Sequence, residues 1–203
     1  MDGKKEEDKK KETAEEEAKP LQEEPFDPSE FNPDSVLSNP LPSTAFMCPL
    51  SANTYGIKFG KFKIRDFDTN TTFLEIEADQ EEFEYEYEDD SMRTIRYEFP
   101  IDFLKLKTVG TTVEFKVGSK PLKNFRMIEK HFFKNEIIKS FDFTFGFCIP
   151  NSTNTWESIY DMPQFSKDKL EEMKNSPWET SSDSYYFVDN KLCMHHRAFY
   201  SYQ

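Results

Sequence analysis

The sequence predicts an all-β fold, an immunoglobulin-like antiparallel β-sandwich, on three observations. Its apolar residues are skewed toward rings, with 21 Phe and 9 Tyr among 203 residues, and strands favour aromatic and β-branched side chains. Runs of alternating apolar and polar residues follow one another, each closed by a turn signal, as expected for strands with one buried face. Only one interval has clear helical spacing. About eight strands and one short helix fit two packed antiparallel sheets.

Residues 1–24 alternate Lys and Glu runs with almost no large apolar side chain, so they are expected to form a solvated, disordered tail. Prolines are dense from Pro20 to Pro49. Within this stretch Asn32-Pro33-Asp34 reads as a helix start: an N-cap, proline at the first helical position and an acid in the first turn. A short helix is expected near residues 33–38. The charged, proline-rich tail is assigned to residues 1–45 and the sandwich to residues 46–203.

The strands follow in order. "IKFGKFKIRDFD" alternates Phe62 and Ile64 with lysines, and "TTFLEIEA" comes next. "MRTIRYEF" puts Ile95, Tyr97 and Phe99 on one face, and "TTVEFKVG" does the same with Val113, Phe115 and Val117 before Gly118. "NFRMIEKHFF" and "NEIIKSFDFTFGFCIP" are longer runs separated by a Lys-Asn turn. The helical interval is "SKDKLEEMKNSP", where Ser166 caps, Leu170 and Met173 share a face, and Pro177 lies beyond the end. "SDSYYFVDNKLCMHHRAFYSY" reads as a hairpin turning at Asp189-Asn190. The block "DQEEFEYEYEDD", residues 79–90, holds no basic residue. It reads first as a solvated loop, and otherwise as a docking surface for a basic partner or, through Phe83, Tyr85 and Tyr87, as an extended strand.

Charge and composition exclude several function classes. A net charge of −13 argues against nucleic acid and anionic membranes as partners, since both reward basic patches. Three scattered cysteines, Cys48, Cys148 and Cys193, do not form a disulfide framework. The sequence has no membrane-spanning apolar run, signal peptide, myristoylation glycine or prenylation cysteine. A soluble, monomeric protein of a reducing compartment is expected.

"CMHH" supplies metal-ligand residue types in Cys193, His195 and His196, but strand alternation puts Cys193 and His195 on one face and His196 on the other, and no second cluster completes a site. Phosphate loops, nucleophile elbows and zinc-protease motifs are missing from the sequence; the protein is not expected to be an enzyme and needs no cofactor. Two features stay open. In "MIEKHFF", Glu129 and His131 interrupt a face that also carries Phe125, Met127 and Phe133. They belong either to a wetted sheet rim or to a polar constellation inside an aromatic cavity, because an unpaired buried charge is costly. In "SFDFTFGF", Phe141, Phe143, Phe145 and Phe147 project from one strand face, as core wall or as ligand lining.

"KFKIRDFD", the long run "VGTTVEFKVGSKPLKNFRMIEKHFFKNEIIKSFDFTFGFCIPNSTNTWE" and "ETSSDSYYFVDNKLCMHHRAFYSY" resemble the uncoordinated-119 proteins, the acyl-binding branch of the GMP-phosphodiesterase delta-subunit family. The similarity runs from about Pro49 to the end of the sequence. It implies a sandwich splayed around a hydrophobic pocket that takes up the myristoylated N-terminus of client proteins. Implied clients are G-protein α subunits, ciliary proteins and Src-type kinases. A GTP-bound Arf-like GTPase would force release, and the setting would be cytoplasmic and ciliary. Position by position, the resemblance implies a lining of Phe62, Ile64, Tyr97 and Phe103, with Glu129 and His131 near the acyl amide. Phe141, Met162, Tyr186 and Tyr200 would complete it, Met162 standing where the family often has an aromatic. The alternative function is a filled sandwich acting as an adaptor through its acidic surface.

Overall fold

The computed structural model describes residues 26–77 and 89–203. The Lys/Glu stretch at residues 1–24 and most of the acidic block lie outside the described residues. Among the described residues there are nine strands: β1 Lys58–Asp66, β2 Thr72–Ile76, β3 Thr94–Phe99, β4 Thr108–Lys116, β5 Leu122–Phe133, β6 Glu136–Cys148, β7 Thr153–Asp161, β8 Thr180–Val188 and β9 Lys191–Tyr202. Two short helices accompany them, α1 Pro33–Ser38 and α2 Lys167–Lys174. The strands form a four-stranded sheet, β2-β1-β4-β7, facing a five-stranded sheet, β3-β9-β8-β5-β6. This is the all-β sandwich that the alternating pattern predicts.

Two of the hairpin turns share one local cause. Lys134 and Asn135 between β5 and β6, and Asp189 and Asn190 between β8 and β9, all take positive φ. Two consecutive residues of that kind make the turn whose twist matches the flanking strands. One pairing departs from the expected antiparallel arrangement, since β3 runs parallel to β9. The chain crosses from one sheet to the other between β2 and β3, so no hairpin dictates the direction of β3.

Several register shifts interrupt the strand period, and two of them redirect residues singled out in the sequence. Gly146 has φ +98°, and the β5–β6 pairing jumps from Phe125↔Gly146 to Arg126↔Thr144, leaving Phe145 as an extra residue. Phe141, Phe143 and Phe145 therefore stay on the inner side, while Phe147 is 61% exposed. The four-ring stripe read from the sequence is a three-ring stripe, because a bulge exchanges the faces beyond it. In β9, Tyr186 pairs with Met194 and Phe187 with Leu192, so Cys193 is the extra residue. It packs with the inner core, away from the face of His195 on which strict alternation would put it.

One end of the sandwich is filled. Ile57, Phe115, Leu122 and Phe125 are fully buried there, with Trp156 and Phe145 edge-on to neighbouring rings. The other end is lined by a second cluster including Ile64, Phe99, Phe103, Tyr200 and Met173 of α2, and it is incompletely filled.

Residues 26–45, placed before the sandwich by the sequence, pack onto the outer face of the five-stranded sheet, where Ile128, Tyr185, Phe187 and Leu192 need cover. Asn32 caps α1 as its composition predicts, in a reciprocal box with Ser35. Lys130, buried on the outer side of β5, donates to the carbonyls of Val36 and Asn39. Ser43 donates to Asp183 from both its backbone N–H (2.8 Å) and its hydroxyl (2.6 Å). The Met47 amide donates to His195 Nδ1 at 3.1 Å, and Arg93 donates to the Cys48 carbonyl while lying 3.9 Å from the Phe46 ring centre. Buried charges of this kind are tolerated because each is hydrogen-bonded.

Candidate functional site

Between the sheets lies a cavity of about 270 Å³. A single ordered water needs roughly 10–15 Å³, so this is a chamber rather than a packing defect. Sandwich cores are ordinarily filled by their own side chains across about 10 Å. Here rings at both edges span from sheet to sheet. Phe62 of β1 meets Tyr97 of β3 at 6.3 Å, and Phe141 of β6 meets Tyr160 of β7 at 4.4 Å. Phe99 and Phe103 stack at 4.3 Å toward the partly filled end.

All ten positions singled out in the sequence lie on this one wall: Phe62, Ile64, Tyr97, Phe103, Glu129, His131, Phe141, Met162, Tyr186 and Tyr200. Glu129 and His131 line this cavity among its aromatic rings. The two side chains are only 18% and 22% exposed, with His131 Nε2 3.2 Å from Glu129 Oε1. That proximity is not a directed hydrogen bond, because His131 Nε2 is buried and has no hydrogen-bond partner among the described residues. The imidazole is packed edge-on to Phe141 and tilted against Tyr200, so beside Glu129 a polar ring nitrogen is held among aromatic rings without a directed hydrogen bond. Such an atom costs free energy unless a ligand meets it.

Tyr97, Tyr160 and Tyr200 surround the pair. Burial pushes each phenol above its ordinary pKa, and the charge of Glu129 pushes in the same direction. They therefore remain neutral hydroxyls. Tyr200 Oη lies 2.9 Å from Ser182 Oγ. The cavity thus combines aromatic rings with a polar group of Glu129 and His131 on β5 beside Ser184 and Ser182 on the neighbouring β8.

Sequence reasoning missed part of this wall. Tyr160 continues the alternation of "WESIYDMP" with Trp156 and Ser158, a period-two signal that could have found it. His196 was read only as pointing away from a metal site; it points into the cavity, edge-on to Phe59 and Tyr186, both at 5.5 Å. Burial pushes its pKa down to about 3, so it is a neutral ring in an aromatic wall. Among the described residues no cluster of three His, Cys, Asp or Glu side chains could hold a metal ion. Nor is any helix among them long and apolar enough to cross a membrane.

Comparison with known proteins agrees with the architecture. Residues 51–202 match the family model described as GMP-PDE, delta subunit. The chain is 51% identical over 176 residues to Protein unc-119 of Caenorhabditis elegans, covering 86% of this chain and 80% of that protein. It is 50% identical over 178 residues to human Protein unc-119 homolog B, covering 84% and 71%. Against the Drosophila melanogaster unc-119 homolog it is 44% identical over 198 residues, covering 88% and 75%. A binding domain, rather than a catalytic one, is what this family provides, and the chain belongs to the GMP-PDE delta-subunit family, among its unc-119 proteins.

Proposed function

We propose that the protein is a lipid-binding chaperone. Its cavity takes the N-terminal myristoyl group, or a similar acyl chain, of client proteins, keeps them soluble and delivers them to membranes, the cilium among them. The observation that carries this reading is the pairing of an aromatic-walled chamber with the unanswered nitrogen of His131 beside Glu129. An N-acylated peptide has the matching chemistry: a long apolar chain ending in an amide that can both donate and accept. G-protein α subunits, Src-type kinases and ciliary proteins are clients of that class.

The energetics are favourable. Burying about a dozen methylenes at ~0.8 kcal/mol each contributes roughly 10 kcal/mol gross, less the entropy lost on association. A myristoyl chain alone partitions into bilayers with a constant of only about 10⁴ M⁻¹, so a chamber of this kind competes with the membrane. Tight capture then requires an unloading step, and a GTP-bound Arf-like GTPase that prefers the lipid-free conformation would supply it through reciprocal coupling.

Fluorescence polarisation with matched myristoylated and unacylated N-terminal peptides tests the reading. Binding that depends on the acyl group is expected. Equal weak binding of both peptides would overturn it and favour an adaptor that uses its acidic surface.

A further inference from the structure

The segment that precedes the sandwich is fastened to the back of the cavity wall at one level. On β5, Glu129 and His131 line the cavity while Lys130 between them points to the outer face; on β8, Ser182 and Ser184 line it while Asp183 between them points outward. The register pairs Lys130 with Asp183, Glu129 with Ser184 and His131 with Ser182. Both outward residues are buried under the segment. The Lys130 ammonium donates to the carbonyls of Val36 and Asn39 at the end of α1. The Asp183 carboxylate accepts from the N–H and hydroxyl of Ser43 and from His195 Nε2 at 3.1 Å, with Arg197 Nε 3.5 Å away. Because His195 Nδ1 accepts from the Met47 amide, the imidazole proton sits on Nε2 and is directed at Asp183.

These bonds fall where the sheet's own ladders give least support. The β5–β6 pairing shifts between His131 and Phe132, and β3 pairs with β9 only from Arg197 onward, so His195 and His196 lie beyond it. An interrupted ladder lets a strand bend, whereas a polar group reads a ligand only when held within about 0.5 Å of its working position. We propose that residues 33–47 are a latch that holds the amide-reading level of the cavity in place from the opposite face of the sheet, with Lys130, Asp183 and Ser43 as positioning residues. The inference rests on the acyl-binding reading above. None of the three lines the cavity; they act through the strands that carry Glu129, His131 and the two serines. Fixing an outward side chain fixes the local pleat, and with it the direction of its two inward neighbours. With the latch lifted, the aromatic wall still takes a hydrocarbon chain, but the polar pair no longer meets the amide at a set distance.

The test compares two ligands on the full chain by fluorescence polarisation. One is a myristoylated peptide; the other has glycolate in place of its first glycine, so that the acyl ester carries an oxygen where the amide carries its N–H. The wild type should prefer the amide by about tenfold, the size expected for one hydrogen bond to a charged acceptor. In Lys130→Met this preference should fall to about unity and in Ser43→Ala to about threefold, while the ester binds as it does to the wild type. Lys130→Arg, whose guanidinium reaches the same carbonyls, should restore it. A general loss of stability would weaken both ligands alike, so the ratio isolates positioning. A ratio unchanged in both Lys130→Met and Ser43→Ala overturns the latch while leaving acyl binding intact; if Lys130→Met does not fold, the ratio in Ser43→Ala decides alone. A wild type that binds the two ligands equally has no amide reading to position, which also overturns the latch. One that binds neither overturns the reading of the site and the latch with it.

Discussion

Glu129 and His131 occupy strand positions where an apolar wall is otherwise continuous, and the arrangement leaves one imidazole nitrogen without a hydrogen bond among the described residues. A sequence under selection for stability alone would fill these positions with apolar side chains, since a half-satisfied buried polar pair is worse than none. The double substitution Glu129→Ala/His131→Ala is therefore expected to weaken binding of a myristoylated peptide by at least tenfold, with no loss of folding stability. If the double variant bound the acylated peptide as tightly as wild type, the pair would have no part in reading the amide. The interruption is visible in "MIEKHFF", because two ionisable residues at alternate positions break an apolar row. Its meaning is not, because rim and cavity produce the same pattern.

At the level of elements, period two is reliable only between bulges. The aromatic stripe of β6 holds from Phe141 to Phe145 and then changes face at Gly146. Phe125→Ala, at a fully buried position, is expected to cost about 3–5 kcal/mol, whereas Phe147→Ala, at an exposed one, should stay within about 0.5 kcal/mol. Urea denaturation distinguishes the two, and equal effects would mean that the bulge does not redirect the strand. The turns at Lys134-Asn135 and Asp189-Asn190 were legible because Asn135, Asp189 and Asn190 are residue types that tolerate positive φ at low cost. The bulge at Cys193 was not, since nothing in "KLCMHH" marks an extra residue, and the orientation of His195 and His196 was lost with it. Packing of the segment before residue 46 was equally hidden. Its anchors, Lys130, Asp183, Arg93 and His195, are scattered along the chain, and no local pattern groups them.

For the whole molecule, two deeply enclosed imidazoles link stability to acidity. Burial lowers the pKa of His195 and takes His196 down to about 3, against an ordinary value of about 6.5. Folded, these rings stay neutral as the pH falls below about 6.5, while the same rings in the unfolded chain take up protons. Stability is therefore full above that value and declines as the pH drops toward 3. From His196 alone the loss at pH 5 is at most about 2 kcal/mol. Urea denaturation at pH 7 and pH 5 should show this decline, with a shallower one for His196→Leu. A wild type equally stable at both values, or a variant with an undiminished slope, would contradict the linkage. The sandwich as a whole was readable from ring content and alternation, because those report burial on one face. The direction of β3 was not, because it depends on a crossing between sheets that leaves no local mark.

That parallel pairing has a consequence for biogenesis. Among the described residues β3 pairs with β9 alone, although β9 follows it by roughly a hundred residues, so β3 has no neighbour until β9 has been made. Non-local pairing of this kind is slow to form, because chain entropy is lost before contacts reward it. Until Lys191–Tyr202 emerges, β3 and β8 are unpaired edges and the chamber lacks the wall that carries His196, Ala198 and Tyr200. On the acyl-binding reading proposed above, the nascent chain has no complete chamber to offer an acyl group until that strand has been made.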